Sequence, residues 1–147
     1  MKDVPFTIRR RVTWGETDPA QIVYTPRFLD YAVEAFEAWF AAIVGVDWFR
    51  LRTDYGMGSP LVHASLDFFR PLRPHQEFAL TVLVEKAGRS SIPARVEGRD
   101  MDGEICFEAH LVSVLIDVAT FKSHPIPPDF KSRIEAYIHA CSDRGSQ

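Results

Sequence analysis

Gly15-Glu16-Thr17-Asp18-Pro19-Ala20-Gln21-Ile22-Val23-Tyr24-Thr25-Pro26-Arg27-Phe28 is the segment on which the reading of this chain turns. It carries one carboxylate, Asp18, through a proline turn to the mouth of a long apolar stretch. Thr25 has the side chain of a helix N-cap, Pro26 suits the first helical position, and Tyr24 can staple onto Leu29. A helix is therefore expected to start at Pro26. The N–H groups of a first helical turn lack intrahelical partners, and the macrodipole adds partial positive charge there. Tyr24, Thr25 and Phe28 would then surround a place where a carbonyl oxygen is polarised, with the Asp18 carboxylate beside it.

Outward from this segment, the pattern of apolar residues changes period. Upstream, Phe6, Ile8 and Val12 alternate with polar residues, which predicts a strand running into the Gly15 turn. Downstream, Phe28, Leu29, Tyr31, Ala32, Val33, Ala35, Phe36, Trp39, Phe40 and Ile43 cover most of a helical circumference and leave only Asp30, Glu34 and Glu37 as a polar stripe. Such a helix, stopping at Gly45, must be buried on most sides. A short second helix is expected from the N-cap Asp47 to Gly56. After Pro60 the chain reads as antiparallel strands. Val62, Ala64, Leu66 and Phe68 share one face; Phe78 to Val84 and Ile92 to Val96 follow, then an Asp102-Gly103 hairpin turn and a strand from Ile105. Leu111 to Ile116 is apolar on both faces, as in a central strand covered twice. Phe130, Ile134, Tyr137 and Ile138 predict a closing amphipathic helix. Order is expected to about residue 141, with residues 142–147 a frayed tail.

With 147 residues and 46% hydrophobic composition, the chain suits one domain spanning 1–147. Its 17 basic and 20 acidic residues are interspersed, which argues against nucleic-acid or membrane partners and for a small molecule. Cys106 and Cys141 share no metal-ligand spacing, the five histidines are scattered, and Met1 to Pro5 lacks an apolar signal core. The expectation is a cytoplasmic protein without a metal site.

A strand, one buried helix and a run of antiparallel strands make an α+β arrangement in which a curved sheet of about five strands wraps the helix. At this point the chain resembles the 4-hydroxybenzoyl-CoA thioesterase family of the hotdog fold, from Phe6 to about Phe130. The family motif is an acidic residue, an Asp two places on, and a turn into Ile/Val-Val-Tyr/Trp, matched by Glu16, Asp18, Ile22, Val23 and Tyr24. Asp67-Phe68 before the Pro71 corner, Gly88-Arg89-Ser90-Ser91, and Val114 to Phe121 with Ile126-Pro127 add weaker likeness. Two positions depart from it. Gln21 stands where the family has Gly, so a left-handed turn there would be strained. Thr25-Pro26 replaces a His found in one branch, and Tyr-x-Pro-x-aromatic is similar to the arylacyl branch.

The resemblance implies an acyl-CoA thioesterase that needs no cofactor and assembles as a homodimer or homotetramer. Hydrolysis of a thioester needs an attacking or water-deprotonating group and donors for the oxyanion. Asp18 suits the first role, as nucleophile or general base, although on residues alone a turn-forming Asp before Pro19 is the readier reading. Glu16 is expected to be solvated; turned inward, it would raise the proton affinity of Asp18. Arg89, Ser90 and Ser91 are candidates for the CoA phosphates, with Arg70 and Arg73 behind them. His63 reads as structural. Tyr24, Phe28 and Tyr31 are expected to crowd the space beside Asp18 into a short flat pocket for an aromatic acyl group. A non-catalytic acyl-CoA-binding module and an enoyl-CoA hydratase of the same fold stay open as alternatives.

Overall fold

Alternation along the central strands decides which face of the sheet becomes the core. In the computed structural model, which describes residues 4–145, β4 (Glu77–Val84) buries Phe78, Leu80, Val82 and Val84, and β5 (Ser91–Asp100) buries Ile92, Ala94, Val96 and Gly98. With β1 (Thr7–Arg11), β3 (Leu61–Phe68) and β6 (Ile105–Val114) they form a five-stranded antiparallel sheet in the order β1-β4-β5-β6-β3. Short strands β2 (Met57–Gly58) and β7 (Ile116–Asp117) pair separately.

The helix α1 (Arg27–Trp39) lies against the buried face of this sheet and continues as a wider turn from Phe40 to Val44. Its buried residues Phe28, Tyr31, Ala32, Ala35, Phe36 and Trp39 recur at three- and four-residue spacing, one continuous stripe. Burying each large side chain of that stripe contributes about 1.5–3 kcal/mol. Gly45 ends the helix as expected, in the left-handed region at φ 87°. Asp47 caps α2 (Trp48–Tyr55) by accepting from the Arg50 N–H at 2.7 Å. The last helix, α3 (Pro128–Gly145), buries Phe130, Ile134 and Tyr137, and the Tyr137 hydroxyl ties β4 to the chain start by donating to the Val82 carbonyl and accepting from the Phe6 N–H.

Five expectations need correction. Thr25 does not cap α1: Pro26 holds the N-cap position and no side chain closes the helix. Tyr24 is 53% exposed, so its ring is not buried as a staple. Nearly all of β3 is exposed on both faces, Val62 at 64%, because β3 is a sheet edge and its pairing with β6 slips by one residue between Leu61 and His63. On β6 the core side, Leu111 and Ser113, is buried, whereas Val112 and Val114 on the other face are only half-buried. At the far end the helix runs on through residues 142–145, past the expected start of fraying; residues 146–147 lie outside the described residues.

Candidate active site

The loop that holds Asp18 is fixed from below by a charge pair. Arg10, on β1, donates to Glu16 through Nη1 at 2.8 Å and Nη2 at 2.6 Å, and through Nε to Glu34 on α1 at 2.8 Å. Glu16 also accepts from the Thr13 N–H at 2.8 Å and the Tyr31 hydroxyl at 2.9 Å. Glu16 is thus not solvated: its carboxylate is taken up by Arg10, Thr13 and Tyr31. Desolvation pushes its pKa up, but the hydrogen bonds from Arg10, Thr13 and Tyr31 outweigh that and hold it at about 2, below the ordinary 4.5. The same contacts raise the Arg10 pKa, the Glu16 hydrogen bond most of all. Burial and then Glu16 raise that of the Tyr31 phenol.

Above this anchor the backbone doubles back, with Thr17 bridged to Val23. Asp18 donates its N–H to the Ile22 carbonyl at 3.0 Å, and its carbonyl accepts from Gln21 at 2.8 Å. The half-buried Asp18 carboxylate accepts from the Ala20 N–H at 2.8 Å through Oδ1, an Asx turn that leaves Oδ2 without a partner among the described residues. Gln21 takes φ 62°, so the turn does need the left-handed conformation that a glycine would enter without cost.

The helix start offers fewer donors than its sequence implied. The N–H groups of Arg27, Phe28 and Leu29 turn back onto the carbonyls of Tyr24, Thr25 and Pro26 at 2.8, 3.2 and 3.2 Å, and those of Val23 and Tyr24 bond Leu72 and Glu16. Among the described residues nothing accepts from the Thr25 N–H. Thr25 opens onto a cavity of about 290 Å³ lined also by Ile22, Val23, Phe28, Phe68, Phe69, Arg70 and Pro71. Phe28 meets Phe68 and Phe107 edge to face, at centroid distances of 5.2 and 4.9 Å. A second, more polar cavity, about 450 Å³ and lined by Arg70, Pro71, Arg73, Gln76 and Asp100, shares Arg70 and Pro71 with the first.

Of the expected site residues, Thr25 and Phe28 line the apolar cavity. Asp18 shares its loop with the lining residues Ile22 and Val23 but is not itself part of the lining, and neither the exposed ring of Tyr24 nor the fully buried Tyr31 lines it. Arg89, Ser90 and Ser91 are not at this end of the protomer. Gly98 and Phe107 mark the cavity end of β5 and β6, and Ser91 lies seven residues further along, roughly 23 Å at about 3.3 Å per residue. There Arg89 donates to Ser90 Oγ at 3.2 Å. His63 is exposed on β3, not enclosed as a structural histidine. Sequence reasoning missed Arg10 and Phe69, and it named Phe68 only as a strand residue and family likeness and Arg70 only as a phosphate candidate, not as one wall. The wall's signal was an aromatic pair and a cation between a strand end and the Pro71 corner.

The family model of the Thioesterase-like superfamily matches residues 12–134. A 1,4-dihydroxy-2-naphthoyl-CoA hydrolase of Rippkaea orientalis is 31% identical, over 90% of this chain and 87% of that protein. The crystal structure of a thioesterase-superfamily protein from a Jannaschia species superposes with a TM-score of 0.85 at 34% identity, covering 92% of this chain and 94% of the other. That of a 1,4-dihydroxy-2-naphthoyl-CoA thioesterase from Synechocystis gives 0.80 at 26%, covering 88% and 94%. A sheet curved over one buried helix, an Asp-bearing turn at that helix's mouth and a match running from the end of β1 into α3 have one common account: the chain belongs to the Thioesterase-like superfamily and has its hotdog fold.

Proposed function

We propose that the protein hydrolyses aromatic acyl-CoA thioesters to the free acid and CoA. The observation that carries this reading is the apolar slot bounded by Phe28, Phe68 and Phe69, with Ile22 and Val23 of the Asp18 loop in its wall and Thr25, whose N–H has no acceptor among the described residues, in its lining. At about 290 Å³ the slot suits one or two rings rather than a long alkyl chain. The relatives named for 1,4-dihydroxy-2-naphthoyl-CoA support an aryl substrate.

In this reading the thioester carbonyl oxygen takes the Thr25 N–H, whose dipole, with that of α1, stabilises the developing oxyanion. Asp18 Oδ2 either attacks the carbonyl carbon, giving a mixed anhydride that water cleaves, or removes a proton from the attacking water. Both routes expel CoA as the thiolate.

The reading also assigns the exposed edge β3 to a second copy of the chain. Phe68 and Phe69, 49% and 55% exposed, sit at the cavity end of this strand, and Arg89, Ser90 and Ser91 lie beside its other end. Antiparallel pairing of β3 with its twofold mate brings the slot of one protomer next to the Arg89 end of the other. Arg89, Ser90 and Ser91 then hold the CoA phosphates across the boundary. Cys106 and Cys141 are free thiols, which supports a reducing cytoplasm as the setting.

The test is thiol release from a panel of CoA esters. Benzoyl- and hydroxybenzoyl-type esters are expected to show higher kcat/KM than palmitoyl-CoA. Absence of CoA release from every ester overturns the hydrolase reading; values rising steadily with alkyl length overturn only the aromatic one.

A further inference from the structure

Apart from Thr25, the acyl slot has one polar border. Phe28, Phe68, Phe69, Ile22, Val23 and Pro71 give it flat hydrocarbon walls, whereas Arg70 borders both it and the polar cavity that also holds Arg73, Gln76 and Asp100. The main chain of Arg70 is fixed, its N–H donating to the Cys106 carbonyl at 3.1 Å beside the same bond from Phe69. Its guanidinium is held only by a loose 3.9 Å pair with Glu104, both groups more than half exposed, and no hydrogen bond from it reaches any described residue. An exposed pair at that distance contributes little, so the guanidinium keeps its planar fork of donors at the boundary between the apolar slot and the polar cavity. Such a fork matches an oxygen that carries negative charge or accepts strongly.

We infer that Arg70 is the specificity-determining residue of this slot, selecting aryl acyl groups whose ring carries an oxygen function, carboxylate or phenol, at the edge that meets the polar cavity. This rests on the hydrolase reading above. A plain benzoyl ring leaves the guanidinium to water, and an oxygenated ring replaces that water with a charge-assisted hydrogen bond worth about 10- to 100-fold in discrimination. The anion could instead be a phosphate of CoA itself, and the test separates the two sources.

The kcat/KM of hydroxybenzoyl and carboxybenzoyl thioesters is measured relative to benzoyl, on full-length CoA and on the phosphate-free carrier N-acetylcysteamine, for the wild type, Arg70→Met and Arg70→Lys. The expected wild-type preference for the best oxygenated ring is tenfold or more on both carriers. It falls to within about threefold in Arg70→Met and returns in part in Arg70→Lys, which keeps the charge and loses the fork. An unchanged preference in Arg70→Met overturns the assignment, and so does a loss of activity that is uniform across rings and confined to CoA esters, which gives Arg70 to the phosphates. No turnover of any ester by the wild type overturns the hydrolase reading itself.

Discussion

Arg10 and Glu16 meet through two parallel hydrogen bonds, at 2.8 and 2.6 Å, and this pair fastens the Asp18 loop to β1 and, through Glu34 and Tyr31, to α1. The Arg10 guanidinium also lies 4.5 Å above the Tyr31 ring. A loop that must present a carboxylate in one position is thereby held by half-buried charge pairing, which is stronger than an exposed pair and depends on pH.

The sign of that dependence follows from the lowered pKa of Glu16, about 2 in the fold against an ordinary 4.5. Its contribution to stability is present above about pH 4.5 and is lost as pH falls toward 2. Wild type should exceed Glu16→Gln by about 2 kcal/mol near pH 6, the scale of hydrogen bonds to a charged group. The difference should shrink below pH 4.5 and vanish only as pH falls below about 2. Thermal melts of both proteins across this range check it; a difference that does not vary with pH contradicts it.

Gly98 governs the slot from a distance. A Cβ there would lie 2.1 Å from the Phe107 ring, which packs on Phe28 in the slot wall. Gly98→Ala must therefore displace Phe107, at a cost of about 1–3 kcal/mol. Moving Phe28 with it should lower kcat/KM by about tenfold or more. Urea unfolding and thiol-release kinetics on the same variant check both parts, and normal kinetics would detach Phe28 from substrate binding.

At Gln21 the expected gain is in stability. A non-glycine residue at φ 62° costs about 1–2 kcal/mol, and glycine returns about 0.5–1 of that in chain entropy. Gln21→Gly should raise stability by about 0.5–1 kcal/mol in urea unfolding, with turnover retained.

Pairing at β3 predicts a dimer or larger assembly by light scattering at micromolar concentration. Val62 is 64% exposed in the protomer, so Val62→Glu should leave its circular dichroism intact. Two carboxylates brought together at a twofold edge repel, so the variant should shift toward monomer and lose kcat/KM at least tenfold. A wild-type monomer of full activity would sink the shared-site reading.

What was legible in the sequence follows from which forces are local. The stripe from Phe28 to Trp39, the stop at Gly45, the cap at Asp47 and the left-handed Gly103 depend on periodicity and single-residue backbone preference, and all stand in the fold. Thr25 was misread because a Thr-Pro pair looks like a cap, whereas the first turn satisfied its own N–H groups by bonding three residues back. Alternation in β3 did not reveal which strand lies at the edge, since strand order is a property of the whole sheet. The pairing of Arg10 with Glu16 and Glu34 was equally hidden, because it joins a strand, a loop and a helix that sequence spacing does not relate.

The central claim is that the Asp18 carboxylate drives hydrolysis, and Asp18→Asn isolates it. The amide oxygen of Asn can still accept from the Ala20 N–H, so the Asx turn and the loop persist while the nucleophilic or basic oxygen is lost. In single-turnover thiol release from benzoyl-CoA, the predicted result is a rate lower by about two to four orders of magnitude with substrate affinity retained. A rate near that of the wild type would contradict the account.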